Sequence, residues 1–168
     1  IQHARGVLRN KTFIMFSLPL WFSFGAMFAY IASSPFIVQH ILGMSAVAYT
    51  VAFGVNGIGL LIAGLTTAAL VKRIKQQYVA VIGVSMLVMG GIALLAITLP
   101  GEITPWAVLP TLFVVASSFG FLFGPTVGLA VSEVRNSAGT ALAISGAMQF
   151  IFAGIAAPIS GLGGGDSL

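Results

Sequence analysis

The residues able to do chemistry in this chain are few, and their positions exclude most of it. Histidine occurs at His3 and His40, at the two ends of the first long apolar run, so the pair cannot share a metal or serve one nucleophile. The acids Glu102, Glu133 and Asp166 lie between apolar runs or at their ends. Cysteine is absent, which removes disulfides and thiolate ligands, and Gly163 to Gly165 has no following helix or Lys to cradle a phosphate. The expectation is a protein that is not an enzyme and uses no metal or cofactor. What remains is hydrogen bonding inside apolar runs, from Ser23, Asn56, Ser117, Ser118 and Gln149.

The elements that position those groups follow from composition. Of 168 residues, 58% are hydrophobic and 6% charged, with mean hydropathy +1.10, whereas a soluble domain is about a quarter charged. An all-α integral membrane protein is expected, embedded in a lipid bilayer. The net charge of +4 then reads as topology and not as affinity for nucleic acid. Five runs are each long enough to cross about 30 Å of hydrocarbon: 12–37, 46–71, 78–99, 105–132 and 138–162. Pro35 is expected to push Ser34 out of helical geometry and end the first. Gly43 to Ser45 turns the chain back, and Pro100, Gly101 and Glu102 end the third.

Arg5, Arg9, Lys11, Lys72, Arg73, Lys75 and Arg135 all fall in alternate loops. By the positive-inside rule the N-terminal end is cytoplasmic and the C-terminal end outside. Glu133 is expected to pair with Arg135 at the cytoplasmic surface. The start without Met and the Gly-rich end read as cuts from a longer chain, with a sixth helix beyond.

Polar groups at mid-membrane are costly unless they face partners or water. Ser23, Asn56, Ser117, Ser118 and Gln149 sit near the centres of four runs, which are expected to share a polar interior, with the third run facing lipid. Met27, Tyr30 and Ser34 continue the stripe begun by Ser23 on the first helix. Bonding of Ser117 and Ser118 back to their own helix, and helix gluing by Asn56 and Gln149, are the structural alternatives. Gly120, Gly124 and Gly128 recur every four residues, a smooth face for close helix packing. Gly154 and Pro158 thin and kink the last run, and Pro125 is expected to bend the fourth.

One stretch calls for a reason: F-A-Y-I-A-S-S-P-F-I-V-Q, Phe28 to Gln39, sets a tyrosine, two serines and Pro35 into a lipid-compatible helix. Together with L-G-M-S (Leu42 to Ser45), F-G-V-N-G-I-G-L (Phe53 to Leu60) and G-T-A-L-A-I-S-G-A-M-Q-F (Gly139 to Phe150), it resembles the C-terminal half of the Bcr/CflA drug-resistance transporters. These are drug:proton antiporters of the major facilitator superfamily. The likeness covers nearly the whole chain and corresponds to spans seven to eleven, five transmembrane helices of a C-terminal six-helix half. It implies a multi-pass exporter of the bacterial inner membrane, moving small amphipathic drugs outward against protons by alternating access. Its partners would be the drug, protons and the missing N-terminal six-helix half.

The basic loop departs from the superfamily pattern, since Gly64 leads through Ala68 and Ala69 to Lys72 without the usual acid or second glycine. No proton carrier lies within these spans. The resemblance makes Ser23, Met27, Tyr30, Asn56, Ser117, Ser118 and Gln149 the expected wall of a central cavity. Tyr30 lies about 27 Å along its helix from Thr12, at 1.5 Å per residue, so Ser34 and Pro35 fall at an outer gate. A transporter for a neutral metabolite on the same fold, and a non-transporting scaffold using its glycine faces, are the alternative readings.

Overall fold

The computed structural model describes residues 2–99 and 103–162. The turn at Pro100, Gly101 and Glu102 and the Gly163 to Leu168 end lie outside the described residues. A short amphipathic helix, α1 (Gln2–Arg9), leads into α2 (Lys11–Pro35), α3 (Ala46–Leu70), α4 (Gln76–Thr98), α5 (Pro105–Ser132) and α6 (Ala138–Leu162). Every described segment of regular structure is helical, and five of the helices are long and apolar enough to cross a membrane. Local chemistry starts two of them: the Asn10 side chain accepts from the Phe13 amide, and the Ser45 hydroxyl from the Ala48 amide. Gly43, at φ 63°, makes the left-handed turn between α2 and α3.

The first membrane helix does not end at Pro35. Pro35 stays helical (φ −63°, ψ −41°) and the chain continues as a π-helical segment, Phe36–Ile41, in which the Leu42 amide bonds the Ile37 carbonyl five residues back. The reason lies one residue upstream. A proline at 35 has no N–H to give the carbonyl of Ile31, and the Ser34 hydroxyl donates to that carbonyl instead, at 3.2 Å. Ser33 likewise donates to Ala29. The Ser34 hydroxyl thus keeps the orphaned carbonyl satisfied in lipid, where no water could do so.

α5 is the hub. α2, α3 and α4 all pack against it, while α6 packs mainly against α2. The close approaches are made by glycines, though not by the stripe expected. A Cβ on Gly120 would come within 2.7 Å of the Leu60 carbonyl and 2.8 Å of the Gly64 amide of α3. Gly124, by contrast, faces open space, and Gly128 faces the flexible Gln76 side chain. Gly154 also meets nothing within 4 Å, and Pro158 is exposed. A four-residue spacing keeps side chains on one face of a helix, but neighbouring helices cross and touch that face at one place only.

α4 brings its own glycines to α5. Gly83 receives Leu122 and Gly90 receives Val115, each too closely for a Cβ. The opposite side of α4 is an apolar surface of Val81, Val88, Met89, Ile92 and Leu95. Burial does not single out this helix, since its apolar window is 17% buried, as is that of α3, and that of α6 is 11% buried. At the basic end, Asn10 donates to the Glu133 carbonyl at 3.3 Å, and the Glu133 and Arg135 side chains form no ion pair, both being exposed.

Gly83→Ala and Gly120→Ala should each lower stability by about 1–3 kcal/mol, the usual cost of overpacking. Gly124→Ala should leave it unchanged or raise it. Thermal unfolding midpoints in detergent, compared across the three variants, test the assignment; equal midpoints would refute it.

Candidate functional site

α2 and α3 both lean on α5 and meet each other chiefly through long side chains. The Asn56 amide Nδ2 donates to the Tyr30 hydroxyl at 2.7 Å. The Tyr30 ring stacks on Phe53, with centroids 6.2 Å apart and planes at 8°. Phe53 in turn meets Tyr49 at 5.8 Å, and the Tyr49 hydroxyl lies 3.2 Å from the Ser34 hydroxyl. Two helical spacings produce this zipper: Tyr30 and Ser34 on α2 oppose Tyr49, Phe53 and Asn56 on α3. Tyr49 and Phe53 were not legible as site residues, although their spacing from Asn56 could have pointed to them.

Behind the zipper a cavity of about 130 Å³ lies between α2, α3 and α5. Met27, Tyr30 and Asn56 line it together with Ile31, Leu60 and Phe119. The phenol and the amide are engaged with each other, so the surface facing the cavity is apolar. Three of the seven expected wall residues come together here.

The other four do not line it. Ser23 and Ser118 are fully buried and donate to carbonyls of their own helices, Leu20 at 2.9 Å and Val115 at 2.6 Å. A hydroxyl in hydrocarbon finds its nearest acceptor one turn back, which is the structural alternative for Ser118 and holds for Ser23 as well. Ser117 sits in the α3–α5 contact, where its Oγ would lie 2.6 Å from a Cβ on Gly59; that Oγ is buried without a partner. Gln149, on α6, is half-buried, and its side chain makes no hydrogen bond with the described residues.

Next to Gln149 begins a feature that sequence reasoning missed. Phe150 of α6 makes edge contacts with Phe24 at 5.6 Å and Phe28 at 6.4 Å, both on α2. Phe24 also meets Phe123 of α5 at 5.7 Å, and Phe123 stacks on Phe119 at the cavity. Rings from α2, α5 and α6 therefore form a continuous aromatic surface running to the Tyr30–Asn56 pair. Phe150 remains 65% exposed, so the surface is open on one side. α4 contributes no ring to it and no residue to the cavity.

Such an arrangement can hold an apolar or aromatic molecule by contact and orient it through very few hydrogen bonds. Among the described residues no cluster suits a metal ion.

Comparison with known proteins places this geometry. The family model described as Major Facilitator Superfamily matches residues 1–158. YdgK of Bacillus subtilis (strain 168), described as an uncharacterized MFS-type transporter, is 24% identical over 163 residues, or 96% of this chain. The chain spans 40% of that relative's length. No solved structure gives a significant match.

If the Tyr30–Asn56 bond joins α2 to α3, Tyr30→Phe and Asn56→Ala should be coupled. A double-mutant cycle on unfolding in detergent should give about 1 kcal/mol, in the range of interhelical bonds in membranes. Strict additivity would show that the two side chains do not support each other.

Proposed function

Because the chain belongs to the major facilitator superfamily, we propose that it is part of a Bcr/CflA-type multidrug exporter, contributing spans seven to eleven. In this reading it exports small amphipathic drugs from bacteria by alternating access, in exchange for protons. Its N-terminal end faces the cytoplasm and its C-terminal end the periplasm. A six-helix N-terminal half completes the cavity and carries the proton site, since the described spans contain no carboxylate within the hydrocarbon.

The observation that supports this best is the Tyr30–Asn56 pair at the edge of the phenylalanine surface. Aromatic and Met side chains accommodate varied apolar shapes at little cost, and a single phenol–amide pair orients without demanding one stereochemistry. A sugar carrier needs many convergent polar groups, because each buried sugar hydroxyl left unpaired costs about 1–3 kcal/mol. The cavity lining holds two polar side chains, and they are bonded to each other. Met27, Tyr30 and Asn56 form the wall of this face, Gln149 joins it when the second half is in place, and Ser23, Ser117 and Ser118 support it from within the helices. Ser34 and Pro35 form the outer gate, and the glycines at 120, 124, 128 and 154, with Pro158, set how closely the helices approach as they rock.

Everted vesicles carrying the protein should accumulate a fluorescent amphipathic drug on an imposed proton gradient, and an uncoupler should abolish this. Asn56→Leu and Gln149→Leu should each slow uptake about tenfold, equivalent to ~1.4 kcal/mol, at normal expression. Uptake and substrate profile unchanged in both would remove these residues from the wall. Pro35→Ala should lower turnover more than affinity; a pure affinity loss would move the gate into the binding site.

A further inference from the structure

A second and larger cavity adjoins the first. About 710 Å³ in volume, it is a groove between the N-terminal halves of α3 and α5, remote from the basic loops. Val51, Val55, Leu109 and Phe113 form its walls, and Trp106 stands at its mouth, 89% exposed. Asn56 lines both this groove and the 130 Å³ cavity, and no other residue does. One side chain therefore separates a surface groove from the interior of the α2–α3–α5 junction.

The chemistry of that side chain identifies what the groove takes. Asn56 is 7% exposed, and its Nδ2 is engaged by Tyr30. None of the described residues donates to its Oδ1. An amide oxygen without a donor, on the one amide side chain of an otherwise apolar groove, favours an occupant that brings a donor. A phospholipid acyl chain brings none. The exposed side chains of the lining, Val51 at 61%, Val55 at 48% and Trp106 at 89%, are apolar or aromatic, which suits a molecule arriving from the hydrocarbon. One turn deeper the passage is closed, since Gly59 is pressed against the Phe113 ring and Ser117.

We propose that this groove is a lateral binding site for bilayer-dissolved molecules with an apolar, preferably aromatic, body and one hydrogen-bond donor. The donor docks on Asn56 Oδ1. Opening of the Tyr30–Asn56 bond then joins the groove to the inner cavity, a step that rests on the export reading above, whereas docking does not.

The test uses N-phenyl-1-naphthylamine, two aryl groups bearing one N–H, with the purified protein in vesicles of phosphatidylethanolamine and phosphatidylglycerol. Energy transfer from tryptophan to the probe is measured in the protein and in Trp106→Phe, and the difference isolates the groove. That difference should saturate with probe. Val55→Phe, which fills the groove without touching the inner cavity, should weaken binding about tenfold. The ether 1-phenoxynaphthalene, lacking the donor, should compete about tenfold less well, and Asn56→Leu should erase this discrimination.

A difference that rises linearly with probe, indifference to Val55→Phe, or equal competition by amine and ether would each overturn the proposal. So would quenching of Trp106 by brominated phospholipid that the probe does not relieve, which would assign the groove to an acyl chain. Absence of both quenching and transfer would mean that another part of the full protein covers it, and would equally overturn the proposal. Saturable binding without drug export would sink the export reading and leave the groove; export with linear transfer would do the reverse.

Discussion

A carbonyl in hydrocarbon that loses its helical partner has no water to turn to, and much of this structure depends on how that is handled. Four prolines lie inside the membrane helices beyond their first turns without ending them, Pro19, Pro110, Pro125 and Pro158, and Pro35 makes a fifth. Among the described residues, only at Pro35 does a hydroxyl stand in for the missing N–H at the same carbonyl, and only there does the helix change its winding afterwards. Ser34 then does a second thing, since its oxygen also meets Tyr49 of the next helix. Local backbone repair and the contact between helices share one side chain.

The second constraint is steric. Without a hydrophobic drive between helices in lipid, contact has to come from close packing. α5 supplies bulky side chains toward α4, and α4 supplies the glycines; toward α3 the exchange runs both ways, through Gly59 and Gly120. This fixes α3 and α4 on α5 and leaves α2 and α3 apart enough for a cavity, bridged by phenols and an amide instead of by backbone contact.

The helical class and the five membrane-length helices were legible because they depend on length and hydropathy, which a sequence displays directly. Membership of the superfamily was legible too, from motifs spread along the chain. Three things were not. The consequence of Pro35 is not legible from local preference, because the hydroxyl of the serine beside it changes the balance inside lipid. The glycine stripe on α5 was visible as a spacing, but which glycine touches a neighbour depends on where helices cross. The aromatic surface escaped because Phe24, Phe28, Phe123 and Phe150 are ordinary lipid-facing residues one helix at a time. Only the assembled α2, α5 and α6 bring their rings together.

The π-wound segment Phe36–Ile41 has a consequence for the turn that follows it. Its bonds reach five residues back, so each carbonyl is paired one residue later along the chain than in the α-helix before it. Rewinding the segment as α-helix would release one residue into the turn from Leu42 to Ser45, without breaking the helix below. The end of α2 thus stores one residue more than an α-helix of the same length would hold, next to the turn that leads into α3.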